Sequence, residues 1–181
     1  QAYGTKSSNS SIILPARKFP GIQLPSRNVT PLQQIRISSK IITTEQAAKI
    51  ISWIDGETSF GISEYSYEFN LILASDNNSF FDSFWDLCVN KVDLILIVKT
   101  FETGEILGGY NPVGYIKPAS SGYTKIKAKN SFIFSLEDGR SINKSVISRA
   151  KNENEAVIII SRKNFGFGSS DFRICRGVFG G

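Results

Sequence analysis

The stretch "DLILIVKTFETGEILGGYNP", residues 93–112, constrains this chain more than any other. Its first part, 93–100, is an unbroken apolar run with the length of a strand covered on both faces. The turn residues Glu-Thr-Gly follow, then "EILGGYN" (105–111), so 93–111 reads as a β-hairpin. A hairpin is marginal alone and needs further strands beside it. The second strand carries Gly108 and Gly109, which invite a phosphate-loop reading. Such a loop needs a Lys and a Ser or Thr opening a helix, whose amides hold the phosphates. Here Tyr110, Asn111 and Pro112 follow instead, and Pro112 ends the strand with no helix behind it. Adjacent glycines inside a strand mark a bulge or a place where another backbone or ring lies close.

The neighbouring segments supply partners for that hairpin. In "IRISSKIITTEQAAKIISWIDG", Thr43 and Gln46 have capping-box spacing, Ala47, Ile50, Ile51 and Ile54 make an apolar stripe of helical period, and Gly56 is the stop. "YSYEFNLILAS" (65–75) alternates like a strand, with Tyr67, Phe69, Leu71 and Leu73 on one face. "SFFDSFWDLC" (79–88) reads as a short helix capped by Ser79 and Asp82, its inward face Phe81, Phe84, Leu87 and Cys88. "GYTKIKAKN", "NSFIFSLEDG" (130–139), "AVIIIS" (156–161) and "SDFRIC" (170–175) read as strands, the last two joined by "RKNFGFGS". In "FGFGSSDF", Gly166 and Gly168 are placed in a turn at positive φ, with Asp171 bonding turn amides at the next strand's start. Six or more strands and two helices predict an α+β, β-dominated fold: an antiparallel sheet or two-sheet sandwich with flanking helices.

Histidine is absent, which excludes Ser-His-Asp and Cys-His catalysis and imidazole zinc sites, and two cysteines cannot make a four-thiolate site. Cys88 and Cys175 read as two buried free thiols, and Cys88, on the apolar stripe, as a core residue rather than a nucleophile. No apolar run reaches the ~18 residues of a membrane helix. The net charge of +5 is carried by the tail: residues 1–40 hold six Lys/Arg and no acid, whereas 41–181 hold 15 basic and 16 acidic residues. Residues 1–34, rich in Ser, Pro, Gly, Asn and Gln, read as a disordered basic linker, dispensable for stability. Methionine is missing, position 1 included, as expected of a piece of a longer protein.

Two active alternatives can be stated from residues alone. An enzyme would need carboxylates converging in a cleft, such as Asp76 with Asp171. A nucleic-acid binder would need Lys117, Lys125, Lys127 and Lys129 on one face with Tyr115 and Tyr123 stacking bases. The bland reading of the latter segment, an alternating strand with its lysines in water, is preferred. Asp82 and Asp86 read as a solvated helix face.

The order of "FNLILASDNNSFFDSFWDLC", "LILIVKTFETGEILGGYNP", "SFIFSL" and "NFGFGSSDFRI" resembles the TLDc domain of oxidation-resistance proteins over about residues 40–175. The motif positions are Ser75 and Asp76 in the strand and turn, Phe84 and Cys88 in the helix, and Gly108, Gly109 and Tyr110 in the hairpin. Phe134 and Ser135 follow in the next strand, then Phe165, Gly166, Gly168 and Asp171 in the last turn. The chain departs from the family where its Arg-Asp-Gly turn reads Asp76-Asn77-Asn78, its Phe-His reads Phe84-Trp85 and its Tyr-Gly-Pro reads Asn164-Phe165-Gly166. The resemblance implies a non-catalytic, cytoplasmic protein-interaction domain without cofactor or metal. It implies links to oxidative-stress protection and binding to vacuolar proton-pump subunits. The lead-in "SKIITTEQAAKIISWID" is similar to that of fungal proteins joining a BTB domain to a TLDc domain, which implies a ubiquitin-ligase adaptor and its substrate as the alternative. The implied layout is a linker over 1–34 and a TLDc-like domain over 35–181, ending before the family's last apolar strand.

Overall fold

The computed structural model describes residues 35–37, 39–56, 67–74, 80–118, 123–136 and 144–175. The linker expected over 1–34, Ser79 as a helix cap and the motif residues Ser75 and Asp76 lie outside them.

The first unit is a crossover. Strand β1 (Ile35–Ile37) leads into helix α1 (Thr44–Ile54), which returns the chain to strand β2 (Tyr67–Phe69). β1 and β2 pair in parallel, the arrangement a helical connection permits and a tight turn forbids. The expected capping box is present: Thr43 Oγ1 accepts from the Gln46 amide at 3.2 Å, and Gln46 Oε1 accepts from the Thr43 amide at 2.9 Å. Gly56 follows the C-cap Asp55 with φ +75°, a left-handed conformation that suits glycine. The last turn of α1 holds no basic residue of its own. Arg149, from a distant strand, supplies the charge: its guanidinium donates to the Trp53 carbonyl at 2.6 Å and lies over the Phe132 ring. Thr43→Ala is expected to cost about 0.5–2 kcal/mol, read as a lower urea midpoint. An unchanged midpoint would mean that packing alone holds this helix end.

The remaining strands form two four-stranded antiparallel sheets, so the sandwich is as expected. One has the order β3-β4-β6-β7, from β3 (Leu94–Lys99), β4 (Ile106–Asn111), β6 (Phe132–Ser135) and β7 (Val146–Arg149). The other has the order β10-β9-β8-β5, from β5 (Thr124–Ile126), β8 (Val157–Ser161), β9 (Asn164–Phe167) and β10 (Phe172–Cys175). The β3–β4 hairpin runs in register from Leu94↔Asn111 to Lys99↔Ile106.

Two apolar cores flank the first sheet. Ala47, Ile50 and Trp53 of α1 pack with Ile106, Tyr110, Phe132 and Phe134 on one side. On the other, Phe81, Phe84, Trp85 and Cys88 of helix α2 (Phe80–Cys88) join Val157, Ile159, Phe165 and Phe167 from the second sheet. β3 serves both: Ile95 and Ile97 enter the first core, Leu94 and Leu96 the second.

Four expectations are corrected. The strand expected over 65–75 ends at Phe69, and Leu71 is exposed because residues 70–74 join no sheet. "NFGF", read as a connector, is β9, and Gly166 lies in it without positive φ; only Gly168 turns left-handed, at φ +60°. In α2 the buried position is Trp85, not Leu87, because residues 81, 84, 85 and 88 share the stripe of helical period. β3 is an edge strand, half-buried along its apolar length rather than fully covered.

Candidate interaction surface

The two glycines of β4 face opposite ways, and each meets a ring. A Cβ added at Gly108 would run into the Phe134 ring of the neighbouring strand and the Leu96 carbonyl. One added at Gly109 would stand 2.5 Å from the Phe167 ring of the other sheet. Their role is close approach of aromatic rings, one from each core.

Beyond them the strand ends in a tied junction. Tyr110 Oη donates to Asp93 Oδ1 at 2.8 Å. Burial first, and then this bond, push the Tyr110 hydroxyl well above the usual tyrosine range. Asn111 is fully buried; its Oδ1 accepts from the amides of Val113 and Gly114, and its Nδ2 donates to the Gly114 carbonyl at 2.8 Å. Gly114, at φ +80°, presses its α-carbon against the Lys91 carbonyl, where no side chain fits. Asn90 and Asp93 also take positive φ, at 61° and 54°, a conformation Asn and Asp tolerate better than other side chains. The loop 89–93 is thus clamped to 112–115, with backbone bonds from Asn90 to Tyr115 and from Asp93 to Pro112.

This clamp displays apolar side chains. Val92 is 62% exposed, Val113 47% and Ile116 52%, and Leu87 projects into water from the last turn of α2. At the tip of the β3–β4 hairpin Phe101 is completely exposed. These residues are not motif positions, and their signal lay in neighbours: Asn and Asp spaced for left-handed turns in "VNKVD", and Asn111 before a proline.

The motif residues have another role. Phe84 stacks on Phe165 at 4.3 Å in the inter-sheet core, beside Cys88, whose thiol burial pushes up. Tyr110 and Phe134 belong to the α1 core, and Ser135 Oγ donates to Glu105 Oε1 at 2.8 Å. Gly168 and Asp171 line an open cleft of about 480 Å³ between the sheet ends, with Ser131, Ser148, Lys151 and Phe167 on its other walls. Asp171 lies against Gly168 rather than bonding the turn amides; among the described residues, Arg173 instead ties the turn by donating to the Ser169 carbonyl at 2.8 Å. Cys175, expected in the core, is exposed, because β10 is an edge strand.

Tyr115 corrects the nucleic-acid alternative. It is buried among Phe84, Trp85 and Phe165, where no base can stack. Lys125 is paired with Glu155 at 2.7 Å and lies over the Tyr123 ring. The Tyr115 hydroxyl is buried without a well-formed hydrogen bond; Asn111, the amide beside it, gives one of its two N–H groups to the Gly114 carbonyl. Tyr115→Phe is therefore expected to leave stability unchanged or to raise it by up to about 1 kcal/mol, measured by urea denaturation. A loss of stability would mean that the hydroxyl has a partner in solution.

The TLDc domain matches residues 35–175, most of the chain. This chain belongs to the TLDc domain family. No curated protein and no solved structure matches it. In this TLDc domain the motif residues Phe84, Cys88, Tyr110, Phe134 and Phe165 build the two cores, whereas the exposed large apolar side chains described above lie at the clamped junction and the hairpin tip. Among the described residues no group of His, Cys, Asp and Glu is placed to hold a metal ion, and no helix is long and apolar enough to cross a membrane.

Proposed function

We propose that this TLDc domain is a non-catalytic, cytoplasmic protein-interaction module. Its partner docks on the junction formed by Val92, Val113 and Ile116. The observation that carries this reading is the pairing of exposure with rigidity: three large apolar side chains in water, on loops fixed by Asn111, Gly114 and two left-handed residues. A preorganised apolar patch loses little entropy on binding. By family resemblance the partner is the peripheral sector of the vacuolar proton pump, and the setting is protection against oxidative stress.

Residues 41–181 are near electrical neutrality, so long-range steering is weak and binding should depend little on salt. Capture of pump subunits by the whole chain at low and moderate salt is the test. Val113→Asp and Ile116→Asp, both at exposed positions, should abolish capture and leave the circular dichroism spectrum unchanged. Capture of nucleic acid alone, lost as salt rises, would overturn the proposal. Capture of ligase substrates instead would favour the adaptor role.

A further inference from the structure

Among the described residues the sandwich has four edge strands: β3 and β7 in one sheet, β5 and β10 in the other. β3 is the longest, with six residues, and five of them are apolar. Natural sheets protect such edges with prolines, bulges or charges, and β3 has only Lys99 at its end. Both its faces are covered, Ile95 and Ile97 in one core and Leu94 and Leu96 in the other, yet all four side chains remain partly accessible.

The hydrogen-bond pattern identifies which groups look outward. The Ile106 carbonyl accepts from the Leu136 amide, towards β6. Its register partner Lys99 therefore is not bonded to β4, and the residues on either side of this pair obey the same alternation: Thr100 donates to the Glu105 carbonyl. Ile97 and Ile95 follow with the same parity, so the N–H and C=O groups of Ile95, Ile97 and Lys99 point away from the sheet. Among the described residues β3 pairs only with β4.

We infer that the outer edge of β3 pairs antiparallel with β3 of a second copy of this chain, joining the two sheets into one. A two-fold axis at Ile97 sets Ile97 opposite its own copy and Ile95 opposite Lys99, using every outward group. The ends are self-complementary in charge. Lys99 makes no ion pair among the described residues, and Asp93, one step beyond the other end of β3, engages Tyr110 through a single carboxylate oxygen. In the paired register Lys99 of one copy lies diagonal to Asp93 of the other, within reach of a long side chain.

Sedimentation velocity of the full chain from micromolar to millimolar concentration, with amide hydrogen exchange at each concentration, tests this. The expected result is a monomer–dimer equilibrium in which the amides of Ile95, Ile97 and Lys99 slow as the dimer fills. Lys99→Pro removes an outward donor at an exposed position, where an edge strand tolerates proline, and should raise the dimer dissociation constant at least about tenfold. Should that variant fail to fold, Lys99→Glu, which faces Asp93 with a like charge, is the readout and should also weaken the dimer. A chain that stays monomeric, exchange rates at these amides that do not vary with concentration, or dimers equally strong in the folded variants would each overturn the inference. Constant protection would show instead that another segment of the same chain covers the edge.

Discussion

Phe165→Ala is expected to cost about 3–5 kcal/mol, the range for removing a fully buried aromatic ring. Phe165 has no solvent exposure and lies at the centre of a cluster of rings. Phe84 stacks on it at 4.3 Å, Trp85 and Tyr115 stand edge-on at 5.3 and 5.4 Å, and Phe81 lies at 6.2 Å. Rings held by one another cannot collapse into the vacated space, which places the cost in the upper part of the range. Trp85 is fixed further by donating its indole N–H to the Arg162 carbonyl at 2.6 Å. Urea denaturation measures the loss, and Phe165→Leu, which keeps much of the volume, should lose clearly less. A cost below about 1 kcal/mol for the alanine variant would refute the view that α2 is fastened to the second sheet through this ring.

Gly109→Val is expected to cost about 1–3 kcal/mol by overpacking, with the upper end favoured because the obstacle is a ring from another sheet. The first atom added would stand 2.5 Å from Phe167, and Phe167 itself stacks on Phe172. The effect has a signature beyond its size. In a double-mutant cycle of Gly109→Val with Phe167→Leu, the smaller side chain should relieve part of the clash, so the pair costs less than the sum of the singles. Additive costs would place the obstruction elsewhere. Full stability with loss of nucleotide binding would restore the phosphate-loop reading of 104–112.

How much of this was legible follows from where each signal resides. The capping box of α1 is local: Thr43 and Gln46 determine it between them, and the structure repeats it bond for bond. The hairpin of β3 and β4 is also local, set by an apolar run, a turn and a second run. Gly108 and Gly109 signalled a close approach but not its agent, since Phe167 lies on a strand far along the chain. β9 was missed because Gly166 breaks the alternation of a four-residue strand. The parallel pairing of β1 with β2 could not be read from either, because each is three residues long and the pairing is a property of the helix between them. For the candidate surface the motif residues gave no signal, since Phe84, Cys88, Tyr110, Phe134 and Phe165 among them pack inside the two cores. Val92, Val113 and Ile116 look like ordinary core residues in sequence; only the loops fixed by Asn111 and Gly114 turn them outward.

Strand β3 gives successive residues to opposite cores, Leu94 and Leu96 to one and Ile95 and Ile97 to the other. Neither core can open by peeling β3 away without breaching the other at the same moment. A helix at a surface can fray while the rest stands, but a shared strand forbids such economy. The two cores are therefore one cooperative unit: the slowest-exchanging amides on either side of the sheet should share a single opening free energy, and thermal unfolding should pass through one transition rather than two.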